Sequence, residues 1–177
     1  MNSARLRGLA ASTPVFVLGP PSAGKTTICR SIGLPFRTID EWVPSVYSSA
    51  AQVGPMRNDQ VDAALHLLMT SISTTDRMIE FAHHDYVSLI DSNLYPELKS
   101  CYIILMLAPL ETCLERNALR RSPVRVGYVE ASWASAHQLR ERLSSENRSL
   151  EIDSSTHDLT TSTQMAISFM NRILGGR

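Results

Sequence analysis

The sequence contains very little lysine and no excess of charge of either sign. Of the 17 basic residues in the 177-residue chain, only Lys25 and Lys99 are lysines, and 17 acidic residues bring the formal net charge to zero. This balance excludes a bulk electrostatic attraction to nucleic acid or to an anionic membrane surface. The other basic residues are arginines, whose planar guanidinium groups bind phosphate through paired hydrogen bonds, so a local basic groove stays compatible with the sequence.

Cysteine is also scarce, and the three thiols show neither a metal-site pattern nor a disulfide framework. Cys29, Cys101 and Cys113 are far apart and lack the short paired spacing of zinc ligands. An odd number of isolated cysteines indicates reduced thiols, as in proteins of the cytoplasm. Residues 1–13 contain no apolar stretch long enough for a secretory signal or a membrane span. We therefore expect a flexible leader there and a cytoplasmic protein without a membrane partner.

The composition is that of a globular protein, with 44% apolar and 19% charged residues. We find no internal repeat, no low-complexity tract and no linker-like stretch, so we expect one domain over residues 1–177. Short β-branched runs alternate with longer helical stretches, which is typical of a parallel α/β sheet.

This alternation predicts five strands and five helices. The strands are predicted in PVFVLG (14–19), PFRTID (35–40), YVSLID (86–91), CYIILMLA (101–108) and SLEID (149–153). The helices are predicted at residues 25–32, 58–83, 110–121, 130–144 and 161–174. The fold class that follows is α/β, a five-stranded parallel sheet with helices on both faces.

The segment GPPSAGKT, residues 19–26, matches the Walker A or P-loop pattern G-x-x-x-x-G-K-[ST]. It lies between the first predicted strand and the first predicted helix, the context in which this pattern binds phosphate. Lys25 would reach the β- and γ-phosphates, and the Thr26 hydroxyl would bind Mg²⁺. We therefore expect ATP and Mg²⁺ as cofactors, although the pattern serves GTP equally well. The cofactor-binding residues predicted in this loop are Gly19, Ser22, Ala23, Gly24, Lys25, Thr26 and Thr27.

Two aspartates follow predicted strands at the edge of the sheet where ligands bind. Asp40 in RTIDEW could act as the general base that accepts the acceptor's hydroxyl proton, or it could cap a helix. Asp91 in LIDSNL could bind Mg²⁺ through water, or it could belong to an ordinary turn. Asn93 follows directly and could bind the acceptor.

An arginine cluster follows the fourth predicted strand. Arg116 and Arg120 are four residues apart and share a helix face, and Arg121 and Arg125 extend the cluster. Arginines that close over a nucleotide neutralise the charge that spreads over a transferring phosphoryl group, whereas an isolated basic helix end is usually solvated. We expect a lid over residues 116–129, with Arg116 and Arg120 both catalytic and nucleotide-binding beside the catalytic Lys25, and with Arg125 near the acceptor.

Residues 41–57 form an irregular segment that we expect to be a flap over the acceptor. Its aromatic residues Trp42 and Tyr47 could stack on an acceptor ring, although single aromatics usually serve packing. His83 and His84 have no ligand partners nearby in the sequence, so we expect them to face solvent and not a metal.

Together these motifs resemble those of P-loop kinases related to polynucleotide kinase. The resemblance rests on GPPSAGKTT, TIDEW, LIDSNL, LAPLETCLERNALRR and LEIDSST, and it spans about residue 15 to the C-terminus. Chloramphenicol-phosphotransferase-like and zeta-toxin-like kinases are a similar neighbouring group. The resemblance implies a nucleoside-monophosphate-kinase-like fold, ATP at residues 19–26, Asp40 as general base and residues 152–155 beside the adenine. The sequence departs from the group at Pro20 and Pro21, which have no N–H to offer a phosphate, and at Glu41 and Trp42 after the base.

The function predicted from these features is an ATP- and Mg²⁺-dependent kinase with a hydroxyl acceptor. The resemblance favours a nucleic-acid or nucleotide hydroxyl, either a 5′-end or a hydroxymethyl group on a base; a small metabolite or an antibiotic is the alternative. A nucleotide-binding switch or assembly module without acceptor is a third hypothesis. The chain lacks the N-K-x-D guanine motif of switch GTPases, and LIDSN lacks the second carboxylate of the pair that ends the Walker B strand of assembly ATPases, so both absences count against this hypothesis.

Overall fold

A computed structural model of the chain describes residues 14–42, 58–121, 123–144 and 146–175. Within these ranges five strands form one parallel sheet in the order β2-β3-β1-β4-β5. The strands are β1 (Val15–Leu18), β2 (Phe36–Thr38), β3 (Met78–Glu80), β4 (Tyr102–Leu107) and β5 (Ser149–Asp153). The predicted five-stranded parallel sheet is therefore confirmed.

Six α-helices and two short 3₁₀ turns connect the strands in the described part of the chain. The helices are α1 (Lys25–Ile32), α2 (Asn58–Thr70), α3 (Tyr86–Asp91), α4 (Leu110–Ala118), α5 (Val126–Leu143) and α6 (Leu159–Gly175). The 3₁₀ turns are Ile39–Glu41 and Pro96–Lys99. In the described ranges, no helix combines the length and the apolar character that a membrane crossing requires.

Strand β1 lies at the centre of the sheet and sets the position of the P-loop. It pairs with β3 on one side, where Val15 faces Met78, and with β4 on the other, where Val15 faces Tyr102. All four residues of β1 are buried, as expected for a strand that is covered on both faces. Since the strands are parallel, their carboxyl ends meet at one edge, and the chain leaves β1 at this edge to form the P-loop.

Two hydrophobic layers cover the two faces of the sheet, because successive side chains of a strand point to opposite faces. On one face Phe16 and Leu18 pack with residues of α2, α3 and most of α5. On the other face Val15 and Val17 pack with residues of α1, α4 and α6. The prediction of helices on both faces is confirmed.

The third strand is not where the sequence pattern placed it. YVSLID forms helix α3, and the strand is the short segment Met78–Glu80, which lies inside the predicted helix 58–83. The six residues of α3 bury Tyr86, Leu89 and Ile90. Their spacing of three and four residues is that of one helix face, so the segment packs as a helix although its composition suits a strand.

Two polar caps account for this difference. The predicted long helix ends at Thr70, and Asp76 Oδ2 accepts a hydrogen bond from the Ser73 backbone N–H at 2.8 Å, closing a turn before β3. At the start of α3, Asp85 Oδ1 accepts from the Ser88 N–H at 3.0 Å and caps the helix. Such side-chain caps replace backbone partners at helix ends and decide where elements begin.

The segment between α4 and α5 is shorter than the predicted boundaries imply. Helix α4 ends at Ala118, and α5 begins at Val126. The buried Asn117 side chain holds the connection, because its amide donates to the Val124 carbonyl at 2.9 Å and its oxygen accepts from the Val124 N–H at 3.1 Å. This clamp joins the end of α4 to the residues just before α5, and so connects the two ends of the arginine-rich loop.

The three cysteines lie in the core, as free thiols with no exposed surface. Burial raises the pKa of Cys29 and of Cys101 to about 12, and it also raises the pKa of Cys113. We expect none of them to react with a thiol reagent such as DTNB at pH 8 in the native protein, and all three to react in guanidinium. Rapid reaction of a thiol in the folded chain would contradict this packing.

These thiols also give the stability of the fold a pH dependence. The folded-state pKa of Cys29 and Cys101 lies above the usual value of 9.0. Their contribution to stability is therefore complete below pH 9.0 and is lost as the pH rises toward about 12.

Candidate active site

A cavity of about 480 Å³ opens at the carboxyl edge of the sheet. The P-loop forms its floor, and the turn after β2 and the end of β3 form one end. Residues of the segment that follows α4 and of the chain after β5 form the rest of the wall. The size is typical of small-molecule sites, and the position is where open α/β sheets bind ligands.

The backbone of the P-loop requires glycine at its first position. Gly19 has a φ of +141°, and a Cβ atom there would lie 2.0 Å from the carbonyl oxygen of Met106 on β4. The loop reaches the left-handed region twice more, at Ser22 (φ +65°) and Gly24 (φ +93°). The sequence of turns directs the chain around the cavity before α1 begins at Lys25.

Both prolines of the loop are buried, and Pro21 lines the cavity whereas Pro20 does not. Pro20 contributes through its carbonyl, which accepts hydrogen bonds from the Lys25 ammonium at 2.9 Å and from the Ala23 N–H at 3.3 Å. Neither Gly19 nor Ala23 lines the cavity, so both support the loop from behind. The other predicted phosphate-loop residues, Ser22, Gly24, Lys25, Thr26 and Thr27, do line it.

Lys25 is buried, with 5% of its surface exposed, and its ammonium group lies 3.8 Å from Glu80 Oε1. Burial lowers the pKa of Lys25 below its usual value, and the nearby carboxylates of Glu80 and Asp40 partly offset this effect. A buried cation with a carboxylate on one side is well placed to bind the negative charge of phosphates on its other side.

Glu80, at the end of β3, is the residue that connects the P-loop to the neighbouring strands. Its Oε2 accepts hydrogen bonds from the hydroxyl of Thr26 at 3.1 Å and from the hydroxyl of Thr38 at 2.6 Å. Our sequence reasoning missed Glu80, because the strand Met-Ile-Glu is only three residues long and lay within an apparent helical pattern. A carboxylate that directly follows two buried apolar residues was the available signal.

Thr26 and Glu80 fit a magnesium ion. The Thr26 hydroxyl donates its hydrogen bond to Glu80, so the lone pairs of its oxygen remain available to a cation. Glu80 adds a carboxylate, the hard-oxygen type of ligand that Mg²⁺ prefers. Water molecules and nucleotide phosphates usually complete such a site.

Asp40 lines the cavity at the end next to β2. It lies in the 3₁₀ turn Ile39–Glu41 and is exposed. The turn has a capping box, in which the Thr38 hydroxyl accepts from the Asp40 N–H at 3.4 Å and Glu41 accepts from the Thr38 N–H at 3.2 Å. Thr38 also donates to Glu80, so one threonine contacts the Glu80 carboxylate and the backbone of the turn that carries Asp40.

Asp91 and Asn93, two of the predicted site residues, form surface contacts away from this cavity. Asp91 is the last residue of α3, is exposed, and accepts a hydrogen bond from Arg142 of α5 at 2.6 Å. The Asn93 side chain accepts from Lys99 at 2.7 Å on the surface. Their predicted positions were wrong because YVSLID is a helix, and its end does not coincide with the carboxyl edge of the sheet.

The three arginines of the predicted lid that were assigned to the site all line the cavity. Arg116 donates to the Ser154 hydroxyl at 2.9 Å and to the Ser154 carbonyl at 3.1 Å, and it lies 3.5 Å from the Ser22 carbonyl. It therefore joins the P-loop to the turn after β5. Arg120 and Arg125 are exposed at the cavity wall.

The wall near Asp40 is largely apolar. Ile39, Val61 of α2, Ala82 and the ring of Tyr128 lie there, and the Tyr128 hydroxyl donates to the Ala82 carbonyl at 3.0 Å. Trp42 does not line this cavity and packs against the core instead, with the Arg37 guanidinium 5.9 Å from the centre of its ring. Tyr47 and the flap beyond Trp42 lie outside the described residues.

The opposite end of the cavity is formed by Ser154, His157, Leu159 and Ser162. The His157 Nδ1 lies 3.0 Å from the Asp153 carbonyl oxygen and 3.1 Å from the Thr156 hydroxyl. This end includes Ser154 from the stretch 152–155 that the family resemblance places beside the adenine.

Asp62, His83 and His84 lie close together, with potential ligand atoms within 4.8 Å of one another. The His83 Nδ1 accepts the Asp85 backbone N–H at 3.0 Å, so its proton is on Nε2, which donates to Asp62 at 3.0 Å. Binding of a metal by Nε2 would require removal of this proton. Both nitrogens of His83 are therefore engaged in structural hydrogen bonds, and its predicted exposure to solvent was wrong because it is 95% buried.

The fold is shared with several kinases of known structure. A gluconokinase from Sinorhizobium meliloti superimposes with a TM-score of 0.65 and 15% sequence identity, and the match covers 92% of this chain and 93% of that one. A deoxyadenosine kinase from M. mycoides gives 0.61 and 12%, covering 90% and 99%. A shikimate kinase from Acinetobacter baumannii, in complex with shikimate, gives 0.54 and 16%, covering 93% and 94%.

At such low identities the likeness shows the fold alone, which is the predicted nucleoside-monophosphate-kinase-like P-loop fold. No protein-family model matches the sequence, and no curated protein matches it significantly.

Proposed function

We propose that the protein is an ATP- and Mg²⁺-dependent kinase that transfers the γ-phosphoryl group to a hydroxyl acceptor. The observation that carries the proposal is that one cavity unites Lys25 and Thr26 of the P-loop with the carboxylates of Asp40 and Glu80. Such a cavity has a donor end with phosphate-binding groups and an adjoining end with a proton acceptor. The kinase names of the structurally similar proteins support the same reaction class.

The donor phosphates bind to the backbone amides of the loop between Ser22 and Thr27 and to the Lys25 ammonium. Thr26 and Glu80 would hold Mg²⁺, which, when bound, neutralises charge on the β- and γ-phosphates. The hydrogen bond from Lys25 to the Pro20 carbonyl keeps the ammonium at the floor of the cavity, where the phosphates lie.

Asp40 acts as the general base. The acceptor oxygen forms a bond to the γ-phosphorus, the bond between this phosphorus and the bridging oxygen of ADP breaks, and the hydroxyl proton passes to the Asp40 carboxylate. The exposed position of Asp40, in a capped turn beside the loop, suits contact with an acceptor that enters from solvent.

The segment 116–129 acts as the lid of the site. Arg116 and Arg120 stabilise charge on the transferring phosphoryl group, and Arg125 and Tyr128 lie nearer to the acceptor. The clamp between Asn117 and Val124 joins the two ends of the loop that carries Arg120. Arg116 also holds the P-loop in place, because its guanidinium bridges the Ser22 carbonyl and Ser154.

Two classes of acceptor follow for the proposed reaction. The motif resemblance to polynucleotide-kinase-like proteins favours a hydroxyl of nucleic acid or of a nucleotide. The names of the similar structures are those of kinases for small molecules, and the apolar wall of Ile39, Val61 and Ala82 suits a small acceptor with an apolar surface.

The experiment measures ADP or GDP formation by the purified full chain with ATP or GTP and Mg²⁺. The acceptor panel contains a 5′-hydroxyl oligonucleotide, nucleosides, DNA with hydroxymethylated bases, sugars, polyols and hydroxylated antibiotics. We expect one class to stimulate turnover and to appear as a phosphorylated product by mass spectrometry. Hydrolysis that no acceptor stimulates, together with an unchanged rate in Asp40→Asn, would refute the kinase proposal and favour a nucleotide switch.

A paired substitution tests the metal assignment. We expect Glu80→Gln to raise the Mg²⁺ concentration that gives half-maximal turnover by about 10- to 100-fold, which is the range for groups that support a metal site. The matched control is Asp91→Asn, which removes the carboxylate that the sequence pattern had suggested; because Asp91 lies on the surface with Arg142, we expect no change. Magnesium titrations of the initial rate measure both. The opposite ranking of the two variants would overturn the assignment.

A further inference from the structure

Tyr86 is a buried residue that the proposed chemistry does not use. It begins α3, has no exposed surface, and its ring packs 6.1 Å from the ring of Phe81. Its hydroxyl lies against the first glycine of the P-loop, where it accepts the Gly19 N–H at 2.9 Å and donates to the Gly19 carbonyl at 2.8 Å. One hydroxyl therefore satisfies both backbone polar groups of this glycine.

The same hydroxyl also lies 3.2 Å from the carbonyl of Phe81, the residue that follows Glu80. It therefore joins the start of the P-loop to the end of β3, the two segments that bring Thr26 and Glu80 together. Burial raises the pKa of Tyr86, so the hydroxyl keeps its proton at neutral pH and can donate.

Gly19 packs tightly against β4 and depends on the Tyr86 hydroxyl for the hydrogen bonds of its backbone. Its backbone lies against Met106 so closely that a Cβ would be 2.0 Å from the Met106 carbonyl oxygen, and its φ of +141° belongs to glycine. If the Tyr86 hydroxyl were removed, the buried N–H and C=O of Gly19 would lack their partner. The peptide would then rotate to recover hydrogen bonds, and the amides downstream in the loop would turn with it.

Helix α5 fixes Tyr86 in turn. The Tyr86 backbone N–H donates to the buried Ser135 hydroxyl at 2.6 Å. Ser135 lies two helical turns after Tyr128, which lines the cavity on the lid side of the same helix. A chain of contacts thus runs from the lid through Ser135 and Tyr86 to Gly19.

We propose that Tyr86 is a positioning residue that sets nucleotide affinity by holding Gly19, and through it the P-loop, in the conformation that binds phosphate. The proposal rests on nucleotide binding at the P-loop, which is the donor half of the proposed function, and does not require a known acceptor.

The experiment compares Tyr86→Phe with Tyr95→Phe in the full chain. Tyr95 packs in the same core layer as Tyr86, and its hydroxyl forms no hydrogen bond with the described residues of the P-loop, so Tyr95→Phe controls for the loss of a tyrosine hydroxyl from this layer. The dissociation constant of Mg·ADP is measured by calorimetry, at a temperature where circular dichroism shows both variants to be folded. We expect Tyr86→Phe to raise it by roughly 10- to 100-fold, as for a buried polar pair left without a partner, and Tyr95→Phe to leave it unchanged.

A second readout separates positioning from mere stability. We expect the KM for ATP to rise with the dissociation constant while kcat at saturating ATP changes little, because Tyr86 does not touch the reacting atoms. We also expect the amide signal of Gly19 to shift in the ¹⁵N spectrum of Tyr86→Phe. A folded Tyr86→Phe protein with wild-type affinity for Mg·ADP would overturn the proposal.

If Tyr86→Phe does not fold, Ser135→Ala decides, since it removes the hydroxyl that anchors the Tyr86 backbone and leaves the tyrosine in place. A higher dissociation constant of Mg·ADP would support the proposal, and an unchanged one would overturn it. Failure of the kinase proposal would appear separately, as wild-type protein that binds Mg·ADP normally but phosphorylates no acceptor.

Discussion

Asp40→Asn is expected to lower acceptor-dependent turnover by about 10²- to 10⁴-fold, the usual contribution of a general base. The amide is nearly the same size as the carboxylate but cannot take the proton of the acceptor hydroxyl. Because the turn is held by the Thr38 and Glu41 side chains through backbone N–H groups, the substitution leaves it intact. Initial rates with saturating ATP and acceptor measure the effect.

Nucleotide binding provides the control for this variant. We expect the dissociation constant of Mg·ATP to change little, since Asp40 lies at the acceptor end of the cavity. Asp40→Glu, which keeps a carboxylate on a longer side chain, is expected to recover part of the activity. A fully active Asp40→Asn protein would show that another group accepts the proton.

Gly19→Ala is expected to be the most damaging small substitution in the described part of the chain. The new Cβ would lie 2.0 Å from the Met106 carbonyl oxygen, a backbone atom of a central strand that cannot move aside. The residue would also have to adopt a φ of +141°, which L-residues avoid. We expect the free energy of unfolding to fall by more than about 4 kcal/mol, or nucleotide binding to be lost if the loop shifts instead.

Gly33 and Gly127 serve as matched controls. Gly33, after α1, also has a positive φ of +74°, but a Cβ there meets no atom within 4 Å. We expect Gly33→Ala to cost only the backbone term of about 1–2 kcal/mol. Gly127→Ala, with open space and an ordinary φ in α5, is expected to be harmless. Urea unfolding of the three variants measures the ranking, and a Gly19→Ala protein as stable as Gly33→Ala would contradict the close approach.

The sequence alone determined the donor half of the proposed site. The Walker A pattern is local: eight consecutive residues between a buried strand and a helix specify the loop, Lys25 and Thr26, and the structure places these groups on one cavity wall. Asp40 was equally accessible to sequence reasoning, because it comes two residues after β2, at the carboxyl edge of a parallel sheet. The arginines after β4 could also be found from the sequence, because they form a dense cluster of one residue type.

The third strand and the carboxylate that follows it depended on contacts between distant parts of the chain. YVSLID has the composition of a strand, yet the cap by Asp85 and the burial of Tyr86, Leu89 and Ile90 on one face make it a helix. Met-Ile-Glu is too short to be recognised, and it becomes a strand because β1 and β2 pair with it on both sides.

Only the tertiary structure could therefore show that Glu80, and not Asp91, is the carboxylate at the end of the third strand. The sequence could suggest that a carboxylate ends the third strand, but strand pairing decides which carboxylate it is. The hydroxyls of Thr26 and Thr38, 54 and 42 residues away, then fix its side chain. The same holds for Tyr86, 67 residues from the glycine that it holds. Local patterns specify the groups that we propose to bind phosphate, whereas long-range packing decides which side chains support them.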